Sequence, residues 1–304
     1  MNELRRFFGD AEALVARREP FATATVVRAE RPTSAKPGAR AIVTREGTLH
    51  GWIGGSCAAP VVVRESLAAL ADGEPRLIVL SNRATPRALG AEGSLRLGVR
   101  HFPMTCHSGG ELEIYIEPQI PREQLVIVGT TPVARALASI GETMGFDVGA
   151  TLDVTLDERA AVVVASRGEG DEDAVRAALA TPARYVALVS SRRRGDELIR
   201  ALDDAGVPTE VSRRLRYPAG LDIHARTEEE IALSVLAEIV ATRAVAAASA
   251  SAPEEAVDPI CGMTVAVTAD ALRADHDGRT YYFCGRSCVR RFLADPVKAL
   301  ASAL

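Results

Sequence analysis

The chain is poor in cysteine, and its five cysteines are unevenly placed. An odd number spread over 304 residues does not suggest a disulfide framework, so we expect a reducing compartment, the cytoplasm. Cys57 and Cys106 stand alone, whereas Cys261, Cys284 and Cys288 all lie near the C-terminal end. This concentration indicates a local cysteine site rather than a scaffold of disulfides.

Long apolar runs and an excess of charge of one sign are also missing. No apolar stretch approaches the roughly 20 residues that a membrane-spanning helix needs, so we expect a soluble protein. The 36 basic and 40 acidic residues give a formal net charge of -4, which offers no electrostatic reason to expect nucleic acid or a membrane as partner. The N-terminal sequence MNELRRFFGDAEAL places acidic residues within an amphipathic pattern, unlike a signal peptide.

What is present begins with an α+β pattern, which we assign to residues 1–118. FATATVVRA is rich in Thr and Val and predicts a strand. The glycine-rich turn Gly54-Gly55-Ser56-Cys57 leads into a predicted helix from about Ala58 to Ala71. ELEIYIEP, which alternates apolar and polar residues, predicts a closing strand.

Apolar strands alternate with helices over residues 122–245. QLVIVGTT, AAVVVAS and ARYVALVSS are each followed by a helical stretch, a pattern typical of a parallel, doubly wound sheet. The last helix begins at Thr227 with Glu230 three residues later, the spacing of a capping box. The predicted fold class is therefore α/β: an α+β module, a Rossmann-like parallel-sheet domain, and a small Cys-rich C-terminal domain.

The Rossmann-like pattern lacks the glycines of a dinucleotide site. Its first turn reads Gly129-Thr130-Thr131-Pro132-Val133-Ala134 instead of G-x-G-x-x-G/A. Thr131 puts a branched side chain where the second glycine lets the backbone approach a pyrophosphate, and Pro132 removes an N–H donor. We therefore do not expect NAD(P) or FAD to bind.

An Ala- and Ser-rich linker at residues 246–257 separates this domain from a C-terminal unit of residues 258–304, which is too small to build much of a core. Cys261, Cys284 and Cys288 form a C-x22-C-x3-C pattern there. Thiolates suit zinc, copper or iron, and His276 lies between the two cysteine clusters as the candidate fourth ligand. The alternative is three reduced cysteines buried in a small core, and spacing alone does not choose the metal.

Residues 258–296, DPICGMTV…YYFCGRSCVRRFLADP, resemble the YHS domain almost from end to end. DPxCGM, YFC and CxxxF followed by DP stand in the same order. The resemblance implies metal binding through these cysteines. It does not by itself identify the function of the whole chain.

The turn before the first-module helix is the second chemical signal. Free N–H groups at a helix N-terminus favour an anion, and a thiol placed there, such as Cys57, should have a lowered pKa. Cys106 precedes a glycine pair and a strand, so a second soft ligand could face the first. The alternatives are a tight turn with an inert small residue and a structural loop.

These segments together resemble the XdhC/CoxI family, the accessory proteins of molybdenum hydroxylases such as xanthine dehydrogenase and carbon monoxide dehydrogenase. The resemblance rests on ATVVRAERPTSAKPGARAIV, GWIGGSC, CHSGGELEIYIEP, YVALVSSRRR and YPAGLDIHARTEEEIALSVLAEIVA. It implies a chaperone that binds the molybdenum cofactor, protects it during modification and helps to load it into the apo-enzyme. By position, Gly54, Gly55 and Cys57 would lie at the cofactor site, with Cys106 and Asp222 as weaker candidates.

We accordingly expect an accessory protein without catalytic residues of its own. The expected partner is an apo molybdenum hydroxylase; a cysteine desulfurase or a cofactor-synthesis protein is a further candidate, and a homodimer is left open. One alternative is an NAD(P)-dependent oxidoreductase, which the lost glycine and the lack of a hydride-site constellation disfavour. Another is a metallochaperone or metal sensor that acts through the cysteine cluster.

Overall fold

The computed structural model describes residues 2–55, 58–81, 99–103, 110–152, 155–168, 170–249 and 254–301. These residues form two compact units. The first joins the chain up to Pro121 with the C-terminal segment that follows Ser249, and the second is Arg122–Ser249. Within the described ranges, no helix is long and apolar enough to cross a membrane.

The N-terminal module of the first unit is a mixed sheet with two helices. Its elements are α1 (Asn2–Ala16), β1 (Phe21–Glu30), β2 (Arg40–Thr44), β3 (Leu49–Gly51), α2 (Ala58–Asp72), β4 (Arg76–Ser81), β5 (Val99–Pro103) and β6 (Glu111–Gln119). The strand order is β3-β2-β1-β6-β4-β5, antiparallel except for the parallel pair β4 and β5.

Alternation along the strands assigns one helix to each face of this sheet. On β2, Ile42 packs with Leu14 of α1, whereas its neighbours Ala41 and Val43 join the main core that includes α2. Successive strand side chains point to opposite faces, which is why a run of apolar residues serves both helices.

Buried ion pairs hold α2 on its sheet. Glu65, in the middle of α2, is almost completely buried and accepts from Arg100 of β5 at 2.8 Å. Arg76 of β4 donates to the Glu65 carbonyl oxygen at 2.7 Å and also pairs with Asp72. The pKa of Arg76 is lowered mainly by burial, and the nearby Arg100 charge lowers it further. Because each buried charge has a partner, the network positions α2 without leaving an isolated ion.

The second unit is a parallel sheet covered by helices on both faces. Its elements are β7 (Gln124–Val128), α3 (Pro132–Thr143), β8 (Asp147–Gly149), β9 (Ala161–Val164), α4 (Asp171–Leu179), β10 (Tyr185–Leu188), α5 (Arg192–Asp204), α6 (Thr209–Ser212), β11 (Leu215–Arg216) and α7 (Glu228–Ser249). The strand order is β11-β10-β9-β7-β8, with every pair parallel.

Neighbouring residues of β7 show the double winding. Leu125 and Ile127 belong to the core beneath α3 and α7, and Val126 between them belongs to the core beneath α4 and α5. The capping box of α7 is also formed, since Glu230 N–H donates to Thr227 Oγ1 at 3.2 Å and Thr227 N–H donates to the Glu230 carboxylate at 3.1 Å. The predicted Rossmann-like fold class is confirmed.

The C-terminal segment consists of two short hairpins followed by two helices. These are β12 (Glu255–Val257) with β13 (Thr264–Ala266), β14 (Leu272–His276) with β15 (Arg279–Phe283), α8 (Arg286–Ala294) and α9 (Pro296–Ala301). Its own core is small: Phe292 is fully buried, with its ring centroid 5.1 Å from the rings of both Tyr281 and Phe283. So small a core agrees with the expectation that this segment needs further support.

Candidate metal centre and cofactor turn

Four potential metal ligands meet in the C-terminal segment. One ligand atom from each of Asp258, Cys261, Cys284 and Cys288 lies within 4.8 Å of the others. Cys284 is central, because its Sγ lies 3.5 Å from that of Cys261 and 3.6 Å from that of Cys288. Three sulfurs and one carboxylate oxygen at these separations form a closed, four-donor set of the kind that a metal ion such as zinc takes.

The first two ligands belong to one tight turn. Asp258 N–H donates to the Met263 carbonyl at 2.9 Å, and Gly262 N–H donates to the Asp258 carbonyl at 2.8 Å. Gly262 lies at φ +73°, a left-handed conformation that glycine adopts without strain. The sequence DPICGM therefore closes on itself and brings Cys261 back beside Asp258.

The other two ligands flank the start of α8. Cys284 follows the end of β15, and Cys288 lies in the first turn of α8, where its N–H donates to the Gly285 carbonyl at 3.0 Å. The spacing of four places the two thiols on the same side of the helix start. The C-x3-C motif thus spans the end of a strand and the start of a helix, and both of its thiols face the candidate metal site.

Asp258 joins the two halves of the site. Its carboxylate is completely buried and accepts from Ile260 N–H and from Cys284 N–H, each at 2.8 Å. A buried carboxylate beside three thiols is costly to keep ionised unless a cation balances it, and a thiophilic divalent ion would do so. The donor set therefore fits a metal, held by Asp258 and the three cysteines.

The thiols differ in acidity. The pKa of Cys261 is lowered to about 7, mainly because the Cys284 thiol donates to its sulfur. The same hydrogen bond raises the pKa of Cys284, while burial raises the pKa of Cys288 to about 12. A bound cation would favour the thiolate form of all three cysteines.

His276, the predicted fourth ligand, does not join the four-donor cluster that the described residues form. Its Nε2 lies 3.5 Å from the Asp277 carboxylate, and its ring packs edge-on against Phe292, with a centroid separation of 6.1 Å. In the described residues the cluster contains Asp258 and not His276, and His276 as a metal ligand remains a prediction. An aspartate three residues before Cys261 was the available signal, and only its burial distinguishes it from a turn residue.

The two candidates for the fourth ligand are separable by substitution. Asp258→Asn should lower zinc affinity about 10- to 100-fold, the range for a carboxylate that supports a metal site, whereas His276→Asn should leave the affinity within about threefold. Cuprous copper, which is satisfied by thiolates, should bind Asp258→Asn almost as wild type does. Competition titration with a chromophoric chelator measures both. Equal loss of both metals would mean that Asp258→Asn has unfolded the site, and a zinc loss confined to His276→Asn would restore His276 as ligand.

The predicted cofactor turn is described in part. Gly54 adopts φ +142°, and a Cβ there would lie 3.3 Å from Leu112 Cδ1, so this position requires glycine. A Cβ on Gly55 would meet nothing within 4 Å among the residues that the structure describes. Cys57 and Cys106 lie outside the described residues and remain predictions.

Helix α2 offers fewer N–H donors to an anion than its position suggests. Ala58 N–H already donates to the Gly55 carbonyl at 3.1 Å, and Pro60 has no N–H. Two of the first three residues of α2 therefore cannot bind a phosphate through the backbone. The cofactor hypothesis therefore depends more on the predicted Cys57 thiol than on the N–H groups of the helix end.

Asp222, the weaker cofactor candidate, lies in the second unit. Its side chain is 86% exposed and its Oδ1 lies 3.0 Å from Nδ1 of His224. This hydrogen bond is the main reason that the pKa of Asp222 is lowered. Nothing buries the carboxylate, so its role as a cofactor residue remains a prediction.

The first helix of the parallel sheet is capped by Thr131. Thr131 Oγ1 accepts from Ala134 N–H at 3.2 Å and donates to the Ala165 carbonyl at 2.7 Å. Pro132 follows at the first helical position. An apolar groove of about 370 Å³ borders this helix, lined in part by Ile127 and Ala138. The groove has room for a small ligand, but the Ala134 N–H is occupied by the cap and Pro132 has no N–H to donate to a pyrophosphate.

Three segments of the chain match known families. Residues 14–81 match the XdhC and CoxI family, residues 125–239 match the XdhC Rossmann domain, and residues 256–300 match the YHS domain. The family resemblance inferred from the sequence is therefore confirmed.

Two relatives show how far similarity extends. The uncharacterized protein YqeB of Escherichia coli (strain K12) is 29% identical over an alignment of 263 residues, which covers 77% of this chain and 45% of YqeB. The chain thus spans less than half the length of that curated relative. A crystal structure of a xanthine dehydrogenase from Bacillus halodurans aligns with 80% of this chain and 97% of its own, at 16% identity and a TM-score of 0.37, too low to carry an argument.

Proposed function

We propose that this chain, a member of the XdhC and CoxI family that carries a YHS domain at its C-terminal end, is a maturation chaperone of a molybdenum hydroxylase. It binds the molybdenum cofactor as cargo and assists its modification and insertion into an apo-enzyme of the carbon monoxide dehydrogenase or xanthine dehydrogenase type. The observation that carries the proposal is the joint match of residues 14–81 and 125–239 to this family's two segments.

The local chemistry of the first module supports this role. The cofactor combines a soft metal–sulfur centre with a phosphate, and Cys57 supplies a soft thiolate partner directly after the Gly54–Gly55 turn. The open space at Gly55 lets a ligand approach the backbone closely. The chain's own residues would bind and shield the cargo, and no group in this proposal acts on a substrate.

Gly55→Ala tests the cofactor turn without disturbing the fold. Because its Cβ meets nothing within 4 Å, the variant should unfold at the wild-type temperature. A methyl group pressed against bound cofactor should cost about 1–3 kcal/mol, about 5- to 150-fold in Kd. Equilibrium binding of isolated molybdenum cofactor to the full chain, with thermal unfolding in parallel, measures both quantities.

Cys57→Ala and Cys106→Ala belong in the same assay. Loss of cofactor retention in Cys57→Ala, with unchanged unfolding, supports the predicted thiolate contact. Wild-type retention in both Gly55→Ala and Cys57→Ala would remove this turn from the site. Titration of NADH and FAD alongside tests the oxidoreductase alternative, which tight nucleotide binding without cofactor binding would establish in place of the chaperone.

A second function, metal delivery or sensing, is favoured by the mixed donor set of three thiols and a carboxylate. A site that exchanges its metal with a chelator within minutes would suit delivery or sensing. A site that holds zinc for days would suit a structural role, which is compatible with the chaperone.

A further inference from the structure

The C-terminal segment shares a hydrophobic core with the N-terminal module. Met263 is buried in a core cluster of the N-terminal module. The same cluster contains Ile53, which directly precedes the cofactor turn, and Ala58, the first residue of α2. Cys261 and Cys284, two of the candidate metal ligands, pack against the same cluster. The metal-binding cysteines are therefore next to the core of the N-terminal module and not at the end of a free arm.

The β12–β13 hairpin, whose turn carries Asp258 and Cys261, lies against α2. Strand β13 packs on that helix, and its Val265 and Ala266 are buried. At the edge of this contact, Arg64 of α2 lies 3.8 Å from the Glu255 carboxylate of β12. An apolar centre with an ion pair at its rim is the usual composition of a specific protein contact.

A second contact joins the β2–β3 turn to the chain after β13. Thr48 Oγ1 donates to the Asp270 carboxylate at 2.5 Å. The neighbouring Gly47 approaches Thr268 so closely that a Cβ on Gly47 would lie 2.5 Å from Thr268 Cγ2. A side chain at position 47 would therefore push the C-terminal segment away.

One turn links the metal to this contact. Asp258 and Cys261 are candidate ligands, Met263 is the residue inserted into the N-terminal core, and the two hydrogen bonds of the Asp258–Met263 turn connect them. A metal that holds Asp258 and Cys261 in place also holds Met263 in its buried position. Conversely, a turn that opens when its ligands repel one another would withdraw Met263 from the core.

We propose that metal binding at Asp258, Cys261, Cys284 and Cys288 stabilises the N-terminal module, so that the C-terminal segment is a metal-dependent clamp on α2 and on the turn that precedes it. The extension to cofactor affinity rests on the proposed function: because Met263 shares a core with Ile53 and Ala58, the metal-loaded chain holds the molybdenum cofactor more tightly than the metal-free chain. By thermodynamic linkage the cofactor must then raise metal affinity by the same factor.

The single tryptophan of the chain is the reporter. Trp52 lies in the N-terminal module, two residues before Gly54, and is half exposed, so its fluorescence should change when this module unfolds. The full chain is stripped of metal with a chelator, and its Trp52 melting curve is recorded with and without zinc. Zinc at about 100 times its Kd should raise the midpoint by about 5–10 °C, and Cys284→Ser should abolish the rise.

Two glycines provide a matched test of the contact itself. Gly47 and Gly38 are both in left-handed turns of this module, at φ +84° and +86°, so alanine strains both backbones similarly. Only at Gly47 does the added Cβ meet the C-terminal segment; at Gly38 nothing lies within 4 Å. Gly47→Ala should lose at least half of the zinc-induced shift, whereas Gly38→Ala should keep it.

The outcomes separate this inference from the proposed function. Zinc binding, measured by calorimetry, without a shift of the Trp52 transition would overturn the clamp, as would a full shift in Gly47→Ala or no zinc binding at all. Cofactor affinity is measured on the zinc-loaded and metal-free chains. Tighter binding by the zinc-loaded chain supports the extension, and equal or weaker binding overturns it. No cofactor binding in either state contradicts the proposed function, while the Trp52 shift still decides the clamp.

Discussion

Replacing Cys284 with serine should lower zinc affinity at least about 100-fold, the largest effect expected of any single substitution in the chain. Cys284 is the central donor, with its Sγ 3.5 and 3.6 Å from the two other thiols and its N–H donating to the Asp258 carboxylate. Its loss removes one ligand and separates the remaining two sulfurs. Metal analysis of the full chain after dialysis should fall from about one zinc per chain to nearly none.

Cys106→Ser is the matched control for this substitution, because it removes a cysteine that does not belong to the C-terminal C-x22-C-x3-C motif. It should retain zinc as wild type does. Retention of zinc by Cys284→Ser, with affinity within about threefold of wild type, would contradict the thiolate centre and restore the alternative of three reduced core cysteines. Loss of zinc in both variants would show that Cys106 contributes to the metal site.

Ending the chain after Ser249 should lower the unfolding midpoint of the N-terminal module by about 10 °C or more. The truncation removes Met263 from the core that it shares with Ala58, and it uncovers α2 where β13 packs. Loss of a single buried methionine side chain typically costs about 2–5 kcal/mol, which alone corresponds to several degrees in a module of this size. Trp52 fluorescence during heating measures the shift.

Val297→Ala tests whether any change in the C-terminal segment has this effect. Val297 lies on α9 and is 69% exposed, so its truncation should move the midpoint by less than about 2 °C. An unchanged midpoint in the truncated chain would mean that the N-terminal module does not depend on the segment. Cys284→Ser retains the whole segment in the chain and removes only a metal ligand, so it is the better probe of whether metal affects cofactor binding.

The cysteine pattern predicted most of the candidate metal site, and burial decided the rest. Three cysteines in so short a segment are rare, so their number and spacing are enough to predict a metal site. From the sequence we named His276 as the fourth ligand and did not consider Asp258, although a carboxylate can also bind zinc. Only the closed Asp258–Met263 turn places one carboxylate among the sulfurs and leaves the imidazole against Phe292.

The strands differ in how visible they are in the sequence. β7, β9 and β10 are continuous apolar runs because helices cover both faces of a central parallel strand. The sequence predicts them from these runs and from the helical stretches that follow each one. β5 (Val99–Pro103) was not predicted. It reads VRHFP, with little alternation and a terminal proline, and it is a strand because it pairs in parallel with β4 at the sheet edge.

The sequence by itself determined the fold class, the family and the three thiols, because hydrophobic period, motif order and cysteine spacing are properties of the chain read in one dimension. Tertiary structure alone placed the Asp258 carboxylate beside the three thiols and buried Met263 in the core of the N-terminal module. Both depend on burial, and burial of a turn residue is set by what packs over it. The local sequence of a small segment with little core of its own does not show which surface the segment will pack against.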